Sequence, residues 1–164
     1  MKVTKQNLHC LRYLGRLVIG LTIFFSCANH SVKTPENQFK VLEKYFAVNH
    51  KFQLNKNISE ILILSDQGCI TCNKSFANIL SQRINNPHLL LVITASGNAV
   101  DLSKFIENKS ENIFYDYKAE VSDLLNLKGS GIISISDQKV DTIIVLDAIH
   151  LKANLDYFIS RTIQ

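Results

Sequence analysis

From residue 39 onward, the apolar positions fall into blocks whose spacing switches repeatedly between helical and extended. Phe39, Leu42 and Phe46 recur three and four apart, which predicts a helix over 39–48. The run "EILILS", 60–65, is continuously apolar between polar flanks and predicts a strand covered on both faces. In "CNKSFANILSQRI", Phe76, Ile79, Leu80 and Ile84 share a helical face, and Asn85, Asn86 and Pro87 close the helix. "HLLLVITA", 88–95, predicts a second buried strand. A short helix over 101–108 opens on Asp101 as its N-cap candidate. A strand over 112–117 and a helix over 120–127 follow, the helix stopped by Gly129. Two β-branched runs, 131–137 and 140–147, flank Gln138 and Lys139 and predict a hairpin. Leu151, Leu155, Phe158 and Ile159 place a last helix over 151–161.

Strands that alternate with helices need crossover connections and therefore pair in parallel, while the hairpin adds an antiparallel edge. The expected fold is α/β: a central mixed sheet, βαβαβα then ββα, with flanking helices. With 164 residues, 46% of them hydrophobic, the chain can bury the core of one domain. It shows neither internal repeats nor a low-complexity tract.

The net charge of +4 changes the picture only once it is located. Residues 1–26 carry Lys2, Lys5, Arg12 and Arg16 and no acid, and the remainder balances 14 basic against 14 acidic residues. No cationic surface is left to suggest nucleic acid as a partner. The basic segment instead precedes nine apolar residues, Leu17–Phe25, and then "SCANHS", the layout of an export signal. Nine apolar residues fall short of the roughly 20 that a spanning helix needs. "FFSC" is similar to the bacterial lipoprotein signal, in which the cysteine after a small residue becomes the lipid-bearing first residue. That similarity implies a signal over 1–26, lipidation at Cys27, a polar tether over 27–38 and a domain over 39–164. An ordinary secretory signal with an incidental Cys27, or an uncleaved anchor, are the alternatives. Ala28 after Cys27 points, by analogy with lipoprotein sorting, to the outer membrane. The implied location is the bacterial envelope, facing the periplasm, with the membrane reached through the lipid.

Export discards Cys10 and leaves Cys69 and Cys72 as the free pair, in an oxidising compartment where neighbouring thiols cycle through a disulfide. The pair lies in "SDQGCITCNKSF", where the first buried strand gives way to a helix. That junction is the carboxyl end of the expected sheet, where open α/β folds place their chemistry.

Strand–Cys-x-x-Cys–helix, the added unit "DLSKFIENKSENIFYD", the segment "LNLKGSGIISISDQKV" and the final hairpin and helix together resemble the thioredoxin fold. Within it, they look most like the TlpA-like and peroxiredoxin-like branch, over roughly residues 61–163. The resemblance implies a thiol–disulfide oxidoreductase acting on a protein thiol or disulfide partner without a cofactor. Cys69 and Cys72 would be the catalytic pair. Gly68, Ile70 and Thr71 beside it, with Ser130 and Gly131 of "GSGI", would meet the substrate. The sequence departs from the family where Gly68 replaces a tryptophan, Gly131 a cis-proline, and Ile63 a buried strand acid. A cis bond before a non-proline residue costs about 2.5–4 kcal/mol, so a trans or rearranged loop is expected at Gly131. Asp66 is a candidate proton acceptor for Cys72.

At a helix N-terminus, Cys69 would face unpaired amide hydrogens and the positive end of the helix dipole, both of which favour thiolate. That makes Cys69 the attacking sulfur and Cys72, one turn on, the resolving one. Two other classes stay open. The two sulfurs with His88 or His150 could hold Cu(I), or the pair could be structural in an inactive thioredoxin-like binding module. Peroxide reduction is disfavoured because "ILSDQGC" lacks the proline and hydroxyl residue of the peroxidatic motif. No Gly-rich phosphate loop or Ser/His/Asp order suggests another cofactor or nucleophile.

Overall fold

A computed structural model describes residues 34–108 and 110–162. The expected export signal, Cys27 and the expected tether as far as residue 33 lie outside the described residues. Helix α1 spans Pro35–His50. Thr34 caps it, its hydroxyl accepting from the Asn37 amide at 3.3 Å, and Pro35 occupies the first turn, where no amide hydrogen is needed. Lys51, at φ 52°, ends the helix by returning its N–H to the Phe46 carbonyl. The helix thus starts four residues before the predicted point and takes the end of the supposed tether. Its first turn, Pro35, Glu36 and Asn37, is polar and exposed, so hydrophobic periodicity could not reveal it.

Five strands form one mixed sheet: β1 (Glu60–Leu64), β2 (Leu89–Ile93), β3 (Ile113–Tyr115), β4 (Gly131–Ser136) and β5 (Lys139–Val145). Their spatial order is β3-β2-β1-β4-β5. β1, β2 and β3 run parallel; β4 lies antiparallel between β1 and β5. The connecting helices are α2 (Ile70–Ser81), α3 (Ser103–Glu107) and α4 (Glu120–Leu125), and α5 (Leu151–Thr162) follows the hairpin. The predicted α/β class, element order and mixed sheet flanked by helices are all present.

Both faces of the sheet are covered, which explains the unbroken apolar runs in β1 and β2. Ile61 and Ile63 join Leu42, Phe46 and Val121 on one face, under α1 and α4. Leu62 and Leu64 join Phe76, Phe105 and Phe158 on the other, under α2, α3 and α5. Each such side chain stabilises the fold by about 1.5–3 kcal/mol on burial, before entropy is counted. Beyond β3, the Asp116 carboxylate accepts from the Val121 amide at 2.9 Å, and the Tyr45 hydroxyl meets His50 Nε2 at 3.0 Å. Burial first, and then hydrogen bonding to Asp116, push the Tyr45 pKa upward, so this phenol stays neutral and ties α1 to the end of β3.

One buried group sits awkwardly. Glu60 opens β1 with 1% of its surface exposed, and neither carboxylate oxygen has a hydrogen-bond partner. Arg161 of α5 approaches Oε1 at 3.5 Å through Nε. Ser134, opposite Glu60 across the β1–β4 ladder, also has an unpartnered hydroxyl. Desolvation raises the Glu60 pKa to about 7, with Arg161 opposing the rise.

Several boundaries move by one or a few residues. The hairpin turns on Asp137 and Gln138, one residue earlier than predicted, with φ 48° and 60°. Two left-handed residues match the twist of a two-residue hairpin but cost about 1 kcal/mol or more each without glycine. Lys139 then belongs to β5, pairing with Ser136 and reaching Glu36 at 3.1 Å. A register shift interrupts the β4–β5 ladder between Ser134 and Ile135. α4 is ended by left-handed Asn126, at φ 56°, rather than by Gly129. Asp101 accepts from the Ser103 amide at 2.9 Å, one residue outside α3, whose N-cap is Leu102.

Candidate functional site

The end of β1 delivers the chain into a turn held by side chains. The Ser65 amide donates to Ser130 Oγ at 3.0 Å, and the Gln67 amide donates to Ser65 Oγ at 3.0 Å. Gly68 follows at φ +77°, and a Cβ there would stand 3.1 Å from the Lys128 carbonyl oxygen. Glycine is required both by the left-handed backbone and by the Lys128–Gly129 loop pressed against it. The turn closes on Cys69, the N-cap of α2 in extended conformation.

Cys69 and Cys72 are joined by a disulfide of 2.00 Å, with Cα atoms 5.2 Å apart. Cys69 Sγ also accepts from the Cys72 amide at 3.2 Å, and its carbonyl takes the first helical bond from the Asn73 amide. The sulfur thus replaces the oxygen that usually satisfies an orphan amide at a helix start. The first turn of α2 carries no acidic side chain, leaving the positive end of the dipole uncompensated there. Cys69 is half-buried, whereas Cys72 is 0% exposed, against the core formed by Phe76, Leu62 and Ile132. Of the two cysteines, only Cys69 thus presents any surface to an external reagent.

Gly68, Ile70 and Thr71 surround Cys69 at the surface, Ile70 with 54% of its area exposed. Ser130 and Gly131 do not join them. Ser130 is fully buried, its hydroxyl engaged with the Ser65 amide and, at 3.5 Å, with the Ser65 carbonyl. Gly131 is buried as the first residue of β4, and a Cβ there would lie 2.8 Å from the Ile144 carbonyl oxygen. Its peptide bonds are trans, as expected from the missing proline. Both residues are buried framework pinning β4 to β1, and neither stands at the surface beside Cys69. The segment lying against the cysteine turn is instead Lys128–Gly129, with Gly129 at φ +134°.

Asp66 is likewise corrected as an acceptor for Cys72. Its carboxylate accepts from the Ser96 amide at 2.6 Å, the Ser96 hydroxyl at 2.8 Å and the Ala99 amide at 3.3 Å. Partial burial acts to raise its pKa, but these bonds outweigh it and the net shift is downward. Asp66 stays ionised and clamps the loop after β2.

Among the described residues, no group of three or more His, Cys, Asp or Glu side chains converges to hold a metal ion. His88 precedes β2 and bonds the Asn57 carbonyl at 2.7 Å, at the end of the sheet opposite the disulfide. His150 is paired with Asp147 at 3.1 Å. Neither supplies a third ligand beside the sulfurs.

One residue of the site escaped the sequence analysis. Asn73 is fully buried and donates from Nδ2 to the Gln67 carbonyl at 2.8 Å. In sequence it looks like a solvent position beside Lys74, and only its place one residue after Cys72 hinted otherwise.

No protein-family model matches the chain, and no characterised protein or solved structure is significantly similar to it.

Proposed function

We propose that this chain is a thioredoxin-like thiol–disulfide oxidoreductase of the bacterial envelope, with Cys69 as attacking and Cys72 as resolving thiol. One observation carries the reading: the sulfur of half-buried Cys69 caps a helix N-terminus and is bonded to a fully buried neighbour three residues on. The sheet order, with β4 antiparallel beside the strand that leads to the pair, supports the thioredoxin-like assignment.

In the reducing direction, Cys69 thiolate attacks one sulfur of a partner disulfide, and the other partner sulfur leaves as thiolate and takes a proton. Cys72, deprotonated, then attacks the Cys69 sulfur of the mixed disulfide and releases the second partner thiol. Two electrons and two protons pass to the partner as the Cys69–Cys72 bond forms; the oxidising direction reverses each step. Gly68, Ile70 and Thr71 form the exposed lip available to a partner polypeptide. A Cys72→Ala variant blocks the second step. Incubated with a peptide disulfide, it is expected to accumulate a one-to-one mixed disulfide at Cys69, visible by mass, whereas the wild type passes through it. An adduct that fails to build up, or that maps elsewhere, rejects the assignment of roles.

We further infer, from the basic and then apolar layout of residues 1–26 and the small Ser26 before Cys27, that a lipid on Cys27 holds the domain at the membrane. In cells fed a labelled fatty acid, the wild-type chain is expected to take up label and Cys27→Ser to lose it. Equal labelling of the two would remove the anchor.

A further inference from the structure

Gln67 is an exposed residue whose two backbone groups are gripped by buried side chains. Ser65 Oγ takes its N–H at 3.0 Å, and Asn73 Nδ2 donates to its C=O at 2.8 Å. Ser65 is in turn fixed through its own amide to Ser130 Oγ. The result is a polar seam running from the start of β4, through the cysteine turn, to the first turn of α2.

Asn73 holds its end of this seam at a cost. Its Oδ1 is buried with no hydrogen-bond partner, so the solvation it loses is not replaced. An apolar residue of similar size would avoid that penalty. What asparagine supplies, and leucine would not, is the donor to the Gln67 carbonyl. That carbonyl lies two residues before Cys69, and its oxygen carries the negative end of a peptide dipole. Released, it is free to turn towards the sulfur that occupies the amide cluster at the helix start, where a negative partial charge opposes thiolate.

We propose that Asn73 is a positioning residue for the cysteine pair: by tethering the Gln67 carbonyl, it keeps the Cys69 sulfur in an environment of amide donors and so sets its thiolate reactivity. The inference rests on the thiol–disulfide reading above, yet its test needs no partner protein.

The test measures the rate of alkylation of Cys69 against pH, in the reduced protein, for wild type, Asn73→Ala and Asn73→Leu. Leucine refills the space that alanine leaves and guards against a simple cavity effect. Both variants are expected to move the titration midpoint upward by about one pH unit, slowing alkylation near neutrality up to about tenfold and leaving the alkaline plateau unchanged. A purely structural role would lower thermal stability and leave the profile in place, and superimposable profiles in the folded variant overturn the inference. If alanine prevents folding, the leucine profile alone decides. Failure of the broader reading looks different: wild-type Cys69 would alkylate normally, but the Cys69–Cys72 bond would not equilibrate with glutathione buffers.

Discussion

Replacing Cys69 by serine is expected to abolish thiol-dependent reduction of a protein disulfide, leaving only the rate of the uncatalysed mixture. Thiol–disulfide exchange requires a thiolate, and an ordinary cysteine, with a pKa near 8.5, is only a few per cent ionised at pH 7. The Cys69 sulfur accepts an amide hydrogen and faces the start of a twelve-residue helix with no acid in its first turn. Each unit by which that setting lowers the pKa raises the thiolate fraction about tenfold until the pKa nears ambient pH. A serine hydroxyl in the same place stays protonated. Cys72 cannot substitute, because none of its surface is exposed. The variant also loses the cross-link. Closing so short a loop stabilises a chain by about 2 kcal/mol on entropic grounds, so the fair comparison is with the reduced wild type. Turnover by Cys69→Ser at the wild-type rate would remove the pair from any catalytic role.

Glu60→Gln is expected to change how stability responds to pH by about 3 kcal/mol. The folded protein holds the Glu60 carboxyl at about 7 through burial, against an ordinary value of 4.5. Below about pH 4.5 the group is protonated in both states. Between there and about pH 7 only the unfolded chain loses the proton, so stability falls as pH rises; above pH 7 the loss is complete. Glutamine, which carries no proton to lose, removes this dependence. Urea unfolding of both proteins at several pH values should show the variant gaining on the wild type by that amount from acid to mildly alkaline buffer. Parallel curves would mean that Arg161, 3.5 Å away, neutralises the carboxylate as well as water does.

The parts of this molecule that were legible in its sequence are those where burial and period coincide. β1 and β2 have both faces covered and appear as unbroken apolar runs; α2 shows Phe76 and Leu80 on one face. The cysteine turn was visible because strand, pair and helix are contiguous. What escaped depends on partners distant in sequence or on polar atoms. Ser65 and Ser130 are 65 residues apart, and nothing local in "GSGI" says that its serine faces inward. Glu60 resembles a polar boundary residue, yet the ladder places it under α5. Asp66 could be placed beside Cys72 on paper because its actual donors, Ser96 and Ala99, come from another loop.

Among the described residues, β5 has a strand neighbour on one side only, so its outer edge carries backbone donors and acceptors outside the ladder. The register shift at Ser134/Ile135 twists the ladder there, and Lys139 and Asp141 place opposite charges along the strand. Accretion of copies edge to edge is thereby discouraged, so the rim can stay unpaired while the protein remains dispersed.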